Sequence, residues 1–282
     1  MATSSLTTAH RPDPRVVQGE IGYFLPKEAP AIIDLTSRGR SNVAFERRRV
    51  EITDARPDVS DYELATQGFG LFPHRSAYAD PSDHDALLRN YHPEMAEFVK
   101  RVSGARDVIP IRNGLVIRKG VRAAVASRSQ TAHFAHTDFT EEWARNFVWV
   151  AMAWEGVKEI EDYSRFAIYQ TWRVTSPPPQ DEALALCEAT AVSSHDLVTV
   201  HTKPRPEGTG IQFDSQLVKY NPAHRWVYFS GMTSHETLIF KGYDSDSSQP
   251  SFVPHAAFRN PLVSDDVEPR SSIEARFLTF FD

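Results

Sequence analysis

The chain has 282 residues, of which 41% are hydrophobic and 24% charged, and its formal net charge is −6. This mildly acidic balance without long basic runs argues against nucleic acid as a partner. No run of about 18 apolar residues is present to cross a membrane, and the polar N-terminus does not resemble a secretory signal. The single cysteine, Cys187, excludes an internal disulfide and cysteine-rich zinc sites, so a cytoplasmic location is expected.

The first half of the chain predicts short strands and one long helix. Residues 1–16 are expected to form a flexible N-terminal arm, and residues 17–282 a single domain. Apolar side chains recur every three or four positions over residues 85–102, which predicts an amphipathic helix ended by Gly104, with a kink or a break at Pro93. Alternation of apolar and polar side chains predicts strands at 19–25, 49–54, 68–72, 108–117 and 132–138.

The second half of the chain is richer in strands. Residues 141–160 predict a second helix, whose aromatic stripe of Trp143, Phe147 and Trp154 is attributed to packing against a sheet. Helices in the middle followed by many strands indicate a mainly β fold with flanking helices, built on a double-stranded β-helix of the jelly-roll, cupin-like type. The strands are predicted at 166–174, 184–187, 197–202, 217–220, 225–229, 236–241 and 272–281.

An imidazole and a carboxylate lie two residues apart at His136 and Asp138. On a strand both side chains project from the same face, whereas His133 has the opposite parity and should face away. Completed by a second imidazole, this pair forms the facial triad that holds a non-haem Fe(II) and leaves three coordination positions open. The pattern is too short to be specific alone, so the remaining parts of such a site must be found elsewhere in the chain.

Residues near the C-terminus can supply those parts. Of the eleven histidines, His255 is placed best as the third ligand, because it directly precedes the loop that leads into the closing strand. An enzyme that uses 2-oxoglutarate must also hold the distal carboxylate of this keto acid, usually with an arginine and a hydroxyl. Arg270 and Ser272 offer this combination at the start of the last strand. Arg276 shares the parity of Ser272 and is a second candidate for the cation.

Two further residues are candidates for contacts with a bound carboxylate or substrate. Arg173 could reach into the barrel, although an arginine whose stem packs on Trp172 is equally compatible with the sequence. Tyr220 could donate its hydroxyl to a carboxylate, although most tyrosines on such strands belong to the core.

Several segments resemble the iron(II)/2-oxoglutarate-dependent hydroxylase/desaturase family related to gibberellin desaturases and the cephamycin methoxylation component. The likeness extends over about residues 17–282 and is most specific over residues 220–245. The matching stretches are 134–138, 172–173, 183–187, 220–229, 240–245, 254–258 and 269–276.

The resemblance implies His136, Asp138 and His255 as iron ligands, and Arg270 and Ser272 as residues that hold 2-oxoglutarate. It implies a non-haem iron dioxygenase of secondary-metabolite biosynthesis that requires Fe(II), 2-oxoglutarate and O₂. Such an enzyme hydroxylates, desaturates or cyclises a small natural-product intermediate while 2-oxoglutarate is decarboxylated to succinate.

Two alternatives stay open from the sequence. One is a cupin-type metal enzyme that uses the same triad without 2-oxoglutarate, and the other is a non-catalytic jelly-roll binding protein. The expected partner is a small-molecule natural product rather than nucleic acid or a membrane, and the chain could form a homodimer.

Overall fold

A computed structural model describes residues 13–120, 132–158, 160, 162–204 and 211–282, and within these ranges most of the regular structure is β. The strands are β1 Val16–Phe24, β2 Ala31–Asp34, β3 Phe45–Asp54, β4 Phe69–Pro73, β5 Asp107–Arg118, β6 His136–Thr137, β7 Arg165–Val174, β8 Glu182–Cys187, β9 Leu197–Lys203, β10 Phe213–Val218, β11 Trp226–Tyr228, β12 Glu236–Asp244, β13 His255–Arg259 and β14 Ser272–Phe281. The helices are α1 His84–Ala86, a π-helical turn Leu87–Tyr91, α2 His92–Ser103 and α3 Glu141–Glu155, with 3₁₀ turns at Arg38–Arg40, Val59–Asp61, Ala189–Ala191 and Ser194–Asp196.

The strands form two sheets. The larger has the order β1-β3-β11-β8-β13-β6-β10-β9-β2, and the smaller has the order β4-β12-β7-β14-β5. All described pairings between strands are antiparallel except β3 with β11 and β2 with β9. Most neighbouring strands in the two sheets are not consecutive in the chain. This is the connectivity of a jelly roll rather than of a meander.

The larger sheet curls because its first strand approaches the segment just before β6. The Gly22 N–H donates to the carbonyl of His133 at 2.8 Å, and the Ala135 N–H donates to the carbonyl of Gly22 at 2.8 Å. A Cβ atom at Gly22 would lie only 2.9 Å from the His133 carbonyl oxygen, so glycine permits this close approach. The curl brings the segment that carries His136 into the interior between the sheets.

The two sheets share an apolar interior, and the helices cover the smaller sheet. Trp172 and Phe240 from the smaller sheet pack in one cluster with Leu186 and Val227 from the larger sheet. Helix α2 packs on the opposite face of the smaller sheet, where Met95 and Val99, for example, meet β7 and β14. Helix α3 closes one end of the interior with another apolar cluster. Burial of this kind stabilises a fold by about 25 cal/mol per Å² of apolar surface removed from water.

Both predicted helices are present, but their ends are shifted. The irregularity in the first is a π-helical turn that precedes Pro93. Asp83 caps the first one, its side chain accepting a hydrogen bond from the Ala86 N–H, and Gly104 ends it with φ of 72°. Pro93 lies in the first turn of α2, where its missing N–H costs nothing, and the chain accommodates the junction by the preceding π-helical turn. The second helix ends at Glu155, five residues earlier than predicted, because Gly156 adopts φ of 65°.

Most predicted strands are present, with changes in length. The stretch predicted at 132–138 forms regular pairing only over His136–Thr137. Strands β2 and β13 were not predicted, because four or five residues carry little periodic signal. Strand β1 begins at Val16, one residue inside the predicted arm, and residues 1–12 of that arm lie outside the described residues. No helix in the described ranges combines the length and apolarity needed to cross a bilayer.

Candidate metal centre

Three potential metal ligands meet where β6 and β13 pair. His136 and His255 are direct partners in the antiparallel ladder, and their ring centroids lie 4.3 Å apart. Asp138 follows β6, and its carboxylate oxygens lie 3.8 Å from the Nε2 atoms of both histidines. One ligand atom from each residue lies within 4.8 Å of the others. The predicted triad is thus brought together by a single strand pairing, and His133 turns away to pair with Glu182 at 3.2 Å.

The hydrogen bonds of both imidazoles orient their Nε2 atoms toward the site. His136 Nδ1 lies 2.9 Å from the carbonyl of Phe134, and His255 Nδ1 lies 3.1 Å from the carbonyl of Val253. A carbonyl only accepts, so each Nδ1 carries the proton and each Nε2 presents a lone pair. Burial lowers the pKa of His136 to about 4, and the neighbouring His255 adds to this shift. Burial also lowers the pKa of His255, so both rings are neutral at physiological pH, as metal ligation requires.

The third ligand is held as an anion by a neighbouring arginine. Burial opposes ionisation of Asp138, but the Arg276 guanidinium, together with the charge that the two imidazoles gain when protonated at low pH, outweighs it and holds the pKa of this carboxyl well below its usual range. Arg276 Nη2 donates to Asp138 Oδ2 at 3.0 Å. Two neutral imidazoles and one carboxylate on one side of a cavity are the donor set that suits a non-haem Fe(II).

A narrow cavity of about 50 Å³ lies against these ligands. Arg270 lines it and stacks its guanidinium over the ring of Trp172, 5.3 Å from the centroid. Burial lowers the pKa of Arg270 to about 10, so the side chain stays protonated at neutral pH. Among the described residues, Arg270 Nε and the buried Ser272 Oγ have no hydrogen-bond partner. A buried cation and a buried hydroxyl with unmet hydrogen-bonding capacity favour an anionic ligand.

Arg276 binds several protein groups through Nε and Nη2. Besides Asp138, it donates to Glu274 Oε1 at 2.7 Å and to Gln170 Oε1 at 2.9 Å. Glu274 was not among the predicted site residues, although strand alternation from Ser272 places it on the same face and could have identified it. Arg276 therefore fits the role of an orienting group for Asp138 better than that of a holder of an added carboxylate.

The structure places Arg173 and Tyr220 away from the triad. Arg173 is completely buried on the opposite face of β7, where its guanidinium donates to the hydroxyl of Tyr91 at 3.0 Å and to the carbonyl of His74 at 2.8 Å. Tyr220 is 42% exposed, stacks edge-on with Tyr23 and lies beneath the Arg48 guanidinium. Neither residue lines the narrow cavity.

A second, aromatic cavity of about 180 Å³ lies on the other side of Asp138 and Arg276. The aromatic residues of α3 pack on the sheet as the sequence predicted, and they also form one wall of this cavity. The lining of this cavity includes Asn113, Phe139, Trp143, Phe147, Trp154 and Phe213.

The fold and this site define a jelly-roll oxygenase that depends on Fe(II) and 2-oxoglutarate, and comparisons with known proteins agree. The hydroxylase/desaturase CTB9 of Cercospora beticola is 29% identical over 256 residues, covering 84% of this chain and 78% of that protein. The Fe(II)/2-oxoglutarate-dependent dioxygenase nvfI of Aspergillus novofumigatus (strain IBT 16806) is 29% identical over 249 residues, covering 86% of each chain. A solved structure of the iron and alpha-ketoglutarate-dependent endoperoxidase NvfI superposes with a TM-score of 0.79 at 25% identity, covering 95% of this chain and 99% of the other.

A family model described as "Oxidoreductase/YMDC permease-like domain" matches residues 21–280, and the chain belongs to this family. The relatives confirm the predicted resemblance to Fe(II)/2-oxoglutarate-dependent hydroxylases and desaturases, the jelly-roll core, and the requirement for Fe(II), 2-oxoglutarate and O₂. The chain is a non-haem iron dioxygenase of this kind, and the two alternatives left open by the sequence are set aside.

Proposed function

We propose that His136, Asp138 and His255 bind the Fe(II) of this dioxygenase, and that Arg270 and Ser272 hold the distal carboxylate of 2-oxoglutarate. The reaction is the hydroxylation, desaturation or cyclisation of a small natural-product intermediate. The observation that carries the proposal is the unmet hydrogen-bonding capacity of two buried atoms, Arg270 Nε, whose side chain lines the narrow cavity, and Ser272 Oγ, two residues further along the chain.

Size and charge decide which ligand each cavity receives. The narrow cavity is the smaller of the two, at about 50 Å³, and the Arg270 guanidinium on its wall supplies the positive charge that a carboxylic acid needs. The aromatic cavity is larger and its lining is mostly apolar, which suits the organic substrate. Both cavities reach Asp138, so cosubstrate and substrate would approach one metal from two directions.

The protein groups bind, orient and exclude water. Bound Fe(II), with 2-oxoglutarate and O₂, supplies the oxidising power for cleavage of a C–H bond, coupled to loss of CO₂ and formation of succinate. The His136 and His255 rings are held by their Nδ1 hydrogen bonds and by the apolar faces of Phe134 and Phe240, at centroid distances of 5.1 and 4.9 Å. Trp172 supports the Arg270 guanidinium and keeps water from it, which strengthens its attraction for a carboxylate.

The first test replaces the proposed carboxylate holder. Arg270→Gln should raise the dissociation constant for 2-oxoglutarate about 100-fold, because removing one partner of a buried charge pair costs about 2–5 kcal/mol. The measurement is an anaerobic titration of Fe(II)-loaded protein that follows the metal-to-ligand charge-transfer band. Arg259→Gln is the matched control, since Arg259 is 39% exposed and pairs with Asp181 and Asp265. Equal affinity in Arg270→Gln and the wild type would disprove the assignment.

The second test separates the ligand histidine from its neighbour. His136→Ala should abolish Fe(II)-dependent succinate formation, whereas His133→Ala should retain it, because His133 lies on the other face and pairs with Glu182. Retained turnover in His136→Ala would rule out His136 as an iron ligand.

The cytoplasmic location, the homodimer and the domain boundary at residue 17 stay predictions from the sequence.

A further inference from the structure

The charges that border the aromatic cavity are already paired with one another. Its described lining contains two charged side chains, Asp138 and Arg276, which bind each other at 3.0 Å. Arg276 also donates to Glu274 and Gln170, so two carboxylates already neutralise its charge, and its Nη1 lies 3.5 Å from the carbonyl of Gly114. A carboxylate brought into this cavity would lose its hydration and, among the described lining residues, would meet no cation that is not already neutralised, which is unfavourable.

The rest of the lining is aromatic and aliphatic, with one uncharged polar side chain among the described residues, Asn113. Trp143 and Phe147 form one wall and Phe213 another. Flat aromatic walls favour contact with rings, and a lone amide suits a hydroxyl or carbonyl group on such a ring.

From these observations we propose that the aromatic cavity is the substrate pocket and that it takes an uncharged, apolar ring system of the substrate. The proposal rests on the proposed function, since Asp138 must be an iron ligand for the ring to lie beside the reacting centre. It deepens that function by excluding substrates whose carboxylate must enter the pocket.

Helix α3 determines the shape of this pocket. Thr140 caps the helix, its Oγ1 accepting from the Trp143 N–H at 3.0 Å, which fixes the first turn beside Asp138. Trp143, Phe147 and Trp154 are spaced by four and seven residues, so they project from one face. Trp149 lies on another face of the same helix and is 57% exposed. The chain therefore provides a matched pair of tryptophans, one in the pocket and one outside it.

The experiment uses 2-naphthol and 2-naphthoate, probes with the same ring system that differ in charge at neutral pH. Isothermal titration calorimetry is performed anaerobically on full-length protein loaded with Fe(II) and 2-oxoglutarate, so that Arg270 is occupied. We expect 2-naphthol to bind at least about tenfold more tightly than 2-naphthoate. Trp143→Leu should weaken 2-naphthol binding about tenfold, and Trp149→Leu should leave it within about twofold.

Each outcome has a defined meaning. Equal binding of the two probes, no binding of 2-naphthol, or equal weakening by the two tryptophan variants would overturn the proposal. If circular dichroism shows that Trp143→Leu is unfolded, Phe213→Leu tests the opposite wall and should also weaken 2-naphthol about tenfold. The charge-transfer band on addition of 2-oxoglutarate is recorded in the same samples. A normal band without selective 2-naphthol binding refutes the pocket alone, whereas absence of the band refutes the proposed function.

Discussion

Arg276 offers a direct test of how the proposed metal ligand Asp138 is oriented. Its guanidinium binds Asp138, Glu274 and Gln170 at once, and its side chain is 19% exposed. Arg276→Gln removes the charge and most of these contacts, whereas Arg276→Lys keeps the charge but cannot reproduce the planar, multiply bonded geometry.

Two effects of Arg276→Gln on metal affinity oppose each other. Removing a cation near the site lifts its repulsion of Fe(II), but it also lets the Asp138 carboxylate rotate away from the geometry that the guanidinium fixes. Loss of groups that orient metal ligands typically weakens binding about 10–100-fold, and we expect this effect to dominate. It corresponds to a loss of about 1.4–2.7 kcal/mol of metal-dependent stabilisation. The apo protein should also lose about 3 kcal/mol, the lower end for an unpaired buried charge, because Asp138 is 20% exposed.

The assay is calorimetric titration with Co(II), a redox-stable substitute for Fe(II), together with thermal unfolding with and without the metal. If orientation dominates, Arg276→Gln and Arg276→Lys both bind Co(II) more weakly than the wild type. If repulsion dominates, Arg276→Gln binds more tightly and Arg276→Lys is close to the wild type. The second pattern would refute the orienting role assigned to Arg276.

Further predictions concern buried charged and titratable groups elsewhere. Burial lowers the pKa of His92 to about 4, so the unfolded chain takes up a proton near pH 6.5 that the folded chain does not. His92 alone should lower the free energy of unfolding by up to about 3 kcal/mol between pH 6.5 and 4, and the pH dependence of this free energy, measured by urea unfolding, should be smaller by that amount in His92→Phe. Asp244 pairs with the buried Lys241 at 2.8 Å and with Arg165 at 2.6 Å. Asp244→Ala should therefore lower the free energy of unfolding, measured by chemical denaturation, by about 3–5 kcal/mol. Lys241→Met leaves Asp244 paired with Arg165 and should lower it by less than about 2 kcal/mol, and equal losses would contradict this reasoning. Arg173→Leu should lower the melting temperature while leaving the dissociation constant for 2-oxoglutarate unchanged, and a weakened affinity would instead place Arg173 at the cosubstrate.

The candidate ligands could be predicted from the sequence because local strand geometry carried the information. The two-residue spacing of His136 and Asp138 fixes their common face, and the structure shows this even though regular pairing extends over only two residues of β6. His255 was selected because it lies before the closing strand. In the structure it lies on β13 and pairs directly with His136 of β6. The common face of His136 and Asp138 depends on residues close in the chain, and the approach of His255 depends on a directly paired strand.

The placements that sequence reasoning could not give depend on which face of a sheet points inward. Arg173 lies next to Trp172, and the two necessarily face opposite sides of β7. The sequence alone does not show which face of β7 lines the cavity, because α2 covers the outer face of this sheet and makes it as buried as the inner one. Periodicity separates buried from exposed positions, but it cannot distinguish two buried faces. The aromatic cavity was missed for a related reason, since residues that line a cavity and residues that fill a core have the same composition.

Strand β14 and the residue before it connect these observations into one electrostatic arrangement. Ser272, Glu274 and Arg276 alternate along its inner face, and Arg270 precedes them at the end of the narrow cavity. Arg276 is neutralised by two carboxylates, whereas Arg270 is buried without an equivalent partner. The two arginines, six residues apart, therefore differ in function because of their partners. Under the proposed function, Arg276 orients the metal ligand Asp138, and Arg270, which has no carboxylate partner among the described residues, binds the cosubstrate carboxylate.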